Sequence, residues 1–202
     1  MARICCRRAS PRDLTGLASS LEALPDLAAA TIAFRATLLQ QLGSTEQLPL
    51  AEDLVALLRA ALVDEPPAAL TDGGIIRDGF NAGLDELRQI SSGGREWIAR
   101  MQTQERERSG ISNLKIGYNH VFGYYIEITK SNLERVPADY TRKQTLANAE
   151  RFITPELKEQ EARVLQADDR IGLLELELFT DLRDQAAAWS QQVQTAALAV
   201  AQ

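Results

Sequence analysis

Few side chains in this 202-residue chain could make or break bonds. His120 is the single histidine, so a nucleophile–base pair has one possible base, and no G-x-S-x-G elbow accompanies it. It reads as a polar turn residue. Cys5 and Cys6 are adjacent and cannot form an ordinary unstrained disulfide, and no histidine or second cysteine pair lies near them. They read as small buried thiols in a reducing compartment rather than zinc ligands. Glu105, Arg106, Glu107 and Arg108 read as a solvated helix end rather than an acid–base pair. No catalytic residue and no metal site is expected. What remains is binding chemistry: Arg142, Lys143, Gln144 and Arg151 crowd one stretch, and such side chains reach phosphate oxygens. Tyr118, Phe122, Tyr124 and Tyr125 could stack on bases as in single-strand binders. Their alternation with polar neighbours instead reads most of them as core.

Charge is distributed unevenly around that stretch. Between Ile111 and Ile153, Lys115, Lys130, Arg135, Arg142, Lys143 and Arg151 stand against Glu127, Glu134, Asp139 and Glu150. The local net charge is +2, leaving −8 for the rest of a chain of net charge −6. The total argues against a uniformly basic nucleic-acid protein, while the local excess allows a polyanion to be held there. With 5% aromatic and 25% charged residues, and Leu and Ala supplying most apolar side chains, the expected class is mainly α with a small antiparallel β-sheet. No apolar run approaches the ~20 residues that cross a bilayer, and no signal-peptide core opens the chain. A soluble, cytoplasmic protein is expected.

The elements follow from local signals. Ser10, Pro11 and Asp13 form a helix start, and Leu14, Leu17, Leu21 and Leu24 give that helix one apolar stripe. Pro25 opens a second helix expected to run to about Leu42, with Gly43 past its end and Ser44 to Leu48 as linker. A third helix from Pro49 is stopped by Glu65, Pro66 and Pro67. Thr71 to Phe80 reads as an irregular crossover with one short strand at Ile75 and Ile76. Asn81 caps a helix whose seam is Leu84, Leu87, Ser91, Gly94, Ile98 and Met101. At Ser91 to Gly94 that helix either kinks or meets a close neighbour. Thr154, Pro155 and Glu156 start a last helix, with no later proline as far as Gln202, so about 70 Å at ~1.5 Å per residue. Such length needs a partner, and the helix from Asn81 to Arg108 running antiparallel supplies one. Between them, Asn113 to Thr154 reads as strands. For the apolar residues of the first hairpin to share a face, Ile116 opposes Tyr124 across an odd loop at Asn119, His120 and Val121, or across a bulge near Gly123. The second hairpin runs from Tyr140 to Leu146 and from Ala149 to Thr154, with a left-handed turn at Ala147 and Asn148. Thr141, Lys143 and Thr145 are expected on one face and Tyr140, Arg142 and Gln144 on the other. The sheet must rest on the helices or on its own loop, Ser131 to Asp139.

At these residues the chain resembles a known family. GYNHVFGYYIEITKSN from Gly117 and YTRKQTLANAERFITPELKE from Tyr140 are similar to the clamp domain of the bacterial MutS mismatch-repair family. SPRDL at Ser10, TDGGIIRDGF at Thr71, LDELR at Leu84 and ERERSGI at Glu105 are similar to its core, or lever, region, in the same order. Gly83 and Ala147 depart from it, where an acidic residue and a lysine are common. The resemblance implies core/lever helices over 1–110, a β-rich clamp over 111–154 and a returning lever helix over 155–202. It implies duplex DNA held by backbone contacts, with Arg142, Lys143, Asn148 and Arg151 facing phosphates and Lys115 and Lys130 as secondary contacts. No GxxxxGK[ST] loop, Walker-type acidic strand or N-terminal mismatch-reading segment is found. The resemblance therefore implies a fragment that is not an enzyme and binds no cofactor, ATP and Mg belonging to the parent, expected to be a DNA-dependent ATPase. Its implied partners are double-stranded DNA, a second copy of the same protein and a MutL-type repair protein, with no membrane. The competing expectation is a coiled-coil scaffold or partner-binding arm that makes no DNA contact.

Overall fold

A computed structural model describes residues 1–32 and 50–201, which form helices and one four-stranded sheet. Met1–Ala82 with Gly172–Gln202 make one compact unit, and Gly83–Ile171 make a second.

In the first unit, α1 (Ala2–Cys5) precedes α2 (Pro11–Glu22). Ser10 and Asp13 close a reciprocal capping box: Asp13 Oδ2 accepts the Ser10 N–H at 2.7 Å, and Ser10 Oγ accepts the Asp13 N–H at 3.3 Å. The Ser10 N–H, then the Ser10 hydroxyl donating to the same Asp13 Oδ2 at 2.8 Å, with Arg3 adding to them, hold the Asp13 carboxyl below its ordinary value. α3 (Leu24–Ile32) follows; its expected continuation to Leu42, Gly43 and the linker lie outside the described residues. Leu14, Ala18 and Leu21 of α2 and Leu54, Leu58 and Ala61 of α4 (Glu52–Ala61) are buried. Arg59 of α4 reaches back to Glu22 at 2.6 Å. α4 ends at Ala61 rather than near Glu65, because Leu62 turns extended and bridges Ile76, with both side chains 1% exposed. The short strand expected at Ile75 and Ile76 is that bridge. In the same unit the buried Glu175 carboxylate accepts the Gly74 N–H at 2.8 Å.

In the second unit, α5 (Ala82–Ser109) follows Asn81, and α6 (Pro155–Ala188), which belongs to this unit as far as Ile171 and to the first from Gly172, follows Thr154, whose Oγ1 accepts the Leu157 N–H at 3.1 Å. The two helices run antiparallel: Ser91 Oγ donates to Asp168 Oδ1 at 2.6 Å, Arg95 joins the other carboxylate oxygen at 2.6 Å, and Gly94 faces Val164. A Cβ on Gly94 would run into the Val164 Cγ2 methyl, so close approach is what the glycine serves, and α5 continues through it. α6 does not run on to Gln202. At Trp189 the backbone leaves the helix (φ −85°, ψ 6°), its N–H reaching back three residues to Ala186, and α7 (Ser190–Val200) begins. A single residue in the sparsely populated bridge region interrupts the helix without proline or glycine.

The sheet joins β1 (Lys115–Asn119), β2 (Gly123–Thr129), β3 (Thr141–Thr145) and β4 (Ala149–Ile153) in the order β1-β2-β4-β3, all antiparallel. Its inner face supplies Ile126, Ile128 and Phe152 to a core completed by Ile98 and Met101 of α5, Leu157 of α6, and Ile111, Leu114 and Tyr140. Leu133 and Val136 of the connecting loop pack on the same core, so the sheet rests on both helices and loop. Ile126 and Ile128 are fully buried, each stabilising by about 1.5–3 kcal/mol.

Candidate nucleic-acid interface

The first hairpin sets which way each sheet residue faces. Ile116 opposes Ile126 and Tyr118 opposes Tyr124, so the expected Ile116–Tyr124 pairing is displaced by two residues, which keeps the shared face. The loop is odd, as the alternation required, but one residue later than the expected Asn119 to Val121: His120, Val121 and Phe122 join the paired Asn119 and Gly123. Asn119 Oδ1 accepts the Val121 N–H at 2.8 Å, and Gly123 takes φ 76°. Left-handed backbone at that position closes a three-residue loop. Space demands glycine there too, since a Cβ would collide with the Glu161 carboxylate, which accepts the Tyr124 N–H at 2.8 Å. Tyr118 and Phe122 are exposed, not core, and Tyr118 meets His120 edge-on at 5.5 Å. Tyr124 packs against the core, while Tyr125 lies on the outer face across Gly117.

The second hairpin turns through Ala147 and Asn148 as expected, with the Leu146 N–H bonded to the Ala149 carbonyl at 2.8 Å. Neither turn residue takes a positive φ, so the left-handed turn is not used. The expected alternation along β3 is broken: the register shifts between Arg142 and Gln144, leaving Lys143 as the extra residue of a bulge on the sheet's edge. Arg142 and Gln144 consequently face opposite sides. Arg142 opposes Phe152 and approaches Glu150 at 3.3 Å, keeping 63% of its side chain exposed, whereas Gln144 opposes Arg151 on the outer face.

The six expected phosphate contacts occupy three settings. Lys143 projects from the edge-strand bulge beside Arg142, and it is exposed. Lys115, Lys130 and Asn148 are gathered at the end where β1 starts and β2 finishes, the Lys130 N–H donating to the Asn148 carbonyl at 3.1 Å. Among the described residues, Lys115, Lys130 and Lys143 form no ion pair. Arg151 is the enclosed one: it pairs with Glu127 at 3.0 Å, donates to Gln144 at 3.0 Å and lies 4.0 Å from the Tyr125 ring centre.

The charged end of α5 is solvated only in part: Glu107 and Arg108 are exposed, whereas Glu105 is buried. Glu105 is 8% exposed, accepts the Tyr140 hydroxyl at 2.5 Å and pairs with Arg108, which also bridges to Asp139 at 3.1 Å. Arg106 donates to the Leu114 carbonyl at 2.6 Å. Burial, then the Glu105 bond, pushes the Tyr140 hydroxyl up, and Arg108 pulls Asp139 down. Asp139, then Glu105, holds Arg108 more firmly charged. This cluster ties the start of β3 to the helix. Sequence reasoning read Glu105 as solvated and gave Glu127, Tyr140 and Glu161 no side-chain partner, for nothing in the linear pattern marks a contact between groups tens of residues apart. The nearest signal was the glycines, Gly117 and Gly123, each standing where a second side chain needs the space. Cys5 and Cys6 are exposed rather than buried. Among the described residues no cluster of three or more metal-ligating side chains occurs, and no helix is long and apolar enough to cross a membrane.

Comparison with known proteins agrees with this geometry. Residues 79–170 match the model of MutS family domain IV, nearly the span of the unit Gly83–Ile171. The chain is 50% identical over 200 residues to the DNA mismatch repair protein MutS of Methanothrix thermoacetophila, 99% of this chain and 23% of that protein. It is 52% identical to the protein of that name from Symbiobacterium thermophilum over 99% of the chain and 23% of the relative. Against that of Solibacter usitatus it is 48% identical over 100% of the chain and again 23% of the relative. The chain thus spans about a quarter of the length of these relatives, and with half of its residues shared along nearly all of it, the chain belongs to the MutS family.

Proposed function

We propose that the chain is the clamp-bearing part of a DNA mismatch repair protein, and that its sheet holds double-stranded DNA by phosphate contacts without reading sequence. The observation that carries this is a set of exposed cations on and beside one small sheet: Lys143 on the edge-strand bulge, and Lys115 and Lys130 with Asn148 at the sheet's end, none of these lysines in an ion pair among the described residues, with Arg142 beside Lys143 exposed and touched by Glu150 at 3.3 Å. Phosphate contacts of this kind position a protein on a duplex and carry no sequence information. In this reading the helices flanking 111–154 serve as a lever. ATP, Mg, a second copy and a MutL-type partner act with other parts of a protein of the relatives' length. The name of the relatives and the match to domain IV support it.

Fluorescence anisotropy of the chain with a labelled homoduplex across a salt series tests this. Arg142→Ala with Lys143→Ala is expected to weaken binding and reduce the slope of log K against log salt by about 1.8, at ~0.9 per phosphate contact. An unchanged affinity and slope would remove these residues from the interface. A partner-binding arm is the second reading, favoured by Leu173 and Leu176 of α6, which are 69% and 47% exposed three residues apart. Absence of duplex binding even at the lowest salt would favour it.

A further inference from the structure

The geometry points to Tyr125, Glu127 and Gln144 as positioning residues that hold the Arg151 guanidinium with one edge open to a DNA phosphate, and to Gly117 as the clearance that lets Tyr125 do so. This rests on the clamp reading. The residues form a row across all four strands on the outer face, opposite the core: Gly117 on β1 opposes Tyr125 on β2, Glu127 on β2 opposes Arg151 on β4, and Arg151 opposes Gln144 on β3. Each is fixed by its neighbour. Tyr125 lies flat across Gly117, where a Cβ would stand 2.8 Å from the ring carbon bearing the hydroxyl and 2.8 Å from the hydroxyl itself. The backbone at Gly117 needs no positive φ, so the space beneath the ring is what the missing side chain supplies.

The guanidinium is stacked at 4.0 Å from the Tyr125 ring centre, its Nε–H is taken by Glu127 Oε2 at 3.0 Å and one terminal amino group by Gln144 Oε1 at 3.0 Å. An arginine presents five N–H groups in a rigid plane. Two are used, and the second terminal amino group has no partner among the described residues. The side chain keeps 19% of its surface exposed, so it is enclosed without being sealed from a ligand. A planar donor group locked in orientation meets a phosphate without first losing rotamer freedom, which is how preorganisation raises affinity. Among the described residues, Lys143 is exposed without an ion pair and Arg142 is 63% exposed with Glu150 at 3.3 Å as its one side-chain partner, so both act more as long-range charge.

The test is a double-mutant cycle on duplex affinity in the 202-residue chain, with circular-dichroism melting to confirm folding. Gln144→Ala and Gly117→Ala are each expected to weaken homoduplex binding about threefold to tenfold, the worth of one well-made hydrogen bond. Both effects are expected to vanish in an Arg151→Ala background, since the residues act only through that guanidinium. A merely structural role would persist there. If Arg142→Ala with Lys143→Ala weakens binding while Gln144→Ala is silent, or weakens it equally with and without Arg151, the positioning role is overturned and the clamp reading stands. If the chain binds no duplex at low salt, the clamp reading fails and the positioning role falls with it.

Discussion

Glu105 is a carboxylate at the end of a helix that the linear pattern assigns to water, and the fold buries it. Burial of a charge is tolerated when its oxygens are hydrogen-bonded and an opposite charge is adjacent, and Tyr140 and Arg108 meet both conditions. Tyr140→Phe removes a donor while leaving the carboxylate in place, an imbalance expected to cost about 1–3 kcal/mol. Urea denaturation should show it as a lower midpoint at unchanged slope. Asp139 adds a pH dependence. Arg108 holds its carboxyl below the ordinary value in the folded state, so its contribution is present at neutral pH and lost as pH falls through the carboxylate range. Asp139→Asn is therefore expected to melt lower than the parent near pH ~7, with the two converging only in acid, as the pH falls through the lowered folded-state value of Asp139.

Adjacent glycines on α5 make the element scale concrete. A Cβ on Gly93 meets nothing within 4 Å, whereas one on Gly94 meets Val164 across the helix pair. Gly93→Ala should therefore stabilise by up to ~1 kcal/mol through helix propensity. Gly94→Ala should cost about 1–3 kcal/mol through overpacking, and Val164→Ala in the same chain should recover part of that loss. Thermal melts of these three variants beside the parent decide it: equal effects at 93 and 94 would mean that the helices do not touch there. The polar contact beside the glycine, Ser91 and Arg95 with Asp168, fixes the register at which the helices meet. On the sheet, the bulge at Lys143 acts similarly, because one inserted residue sends Arg142 and Gln144 to opposite faces.

For the molecule as a whole, the span matched to MutS domain IV and the contact-defined unit Gly83–Ile171 nearly coincide. On a chain of net charge −6, a local excess of +2 holds a polyanion only at close range. Duplex binding should accordingly be strongly salt-sensitive, and because phosphates carry no sequence information, perfect and mismatched duplexes should bind the isolated chain within about twofold of each other. A marked preference for the mismatch in an anisotropy competition would contradict the clamp reading.

The helix starts at Ser10 and Thr154, the odd loop after Asn119, the two-residue turn at Ala147 and Asn148, and the shared face of Ile116, Tyr118, Tyr124 and Ile126 were determined by the sequence itself. Caps, turns and strand alternation depend on residues a few positions apart, whose chemistry acts locally whatever the rest of the chain does. The end of α4 at Ala61, the break at Trp189, the bulge at Lys143, the burial of Glu105 and the enclosure of Arg151 were decided by the tertiary structure. There the deciding partners lie far along the chain: Ile76 for Leu62, Tyr140 for Glu105, and Glu127 for Arg151. Only when the strands and helices close together does a charged side chain acquire a fixed neighbour in place of water, and only then is it settled whether that side chain stays exposed, as Lys143 does, or becomes an internal support, as Glu105 does.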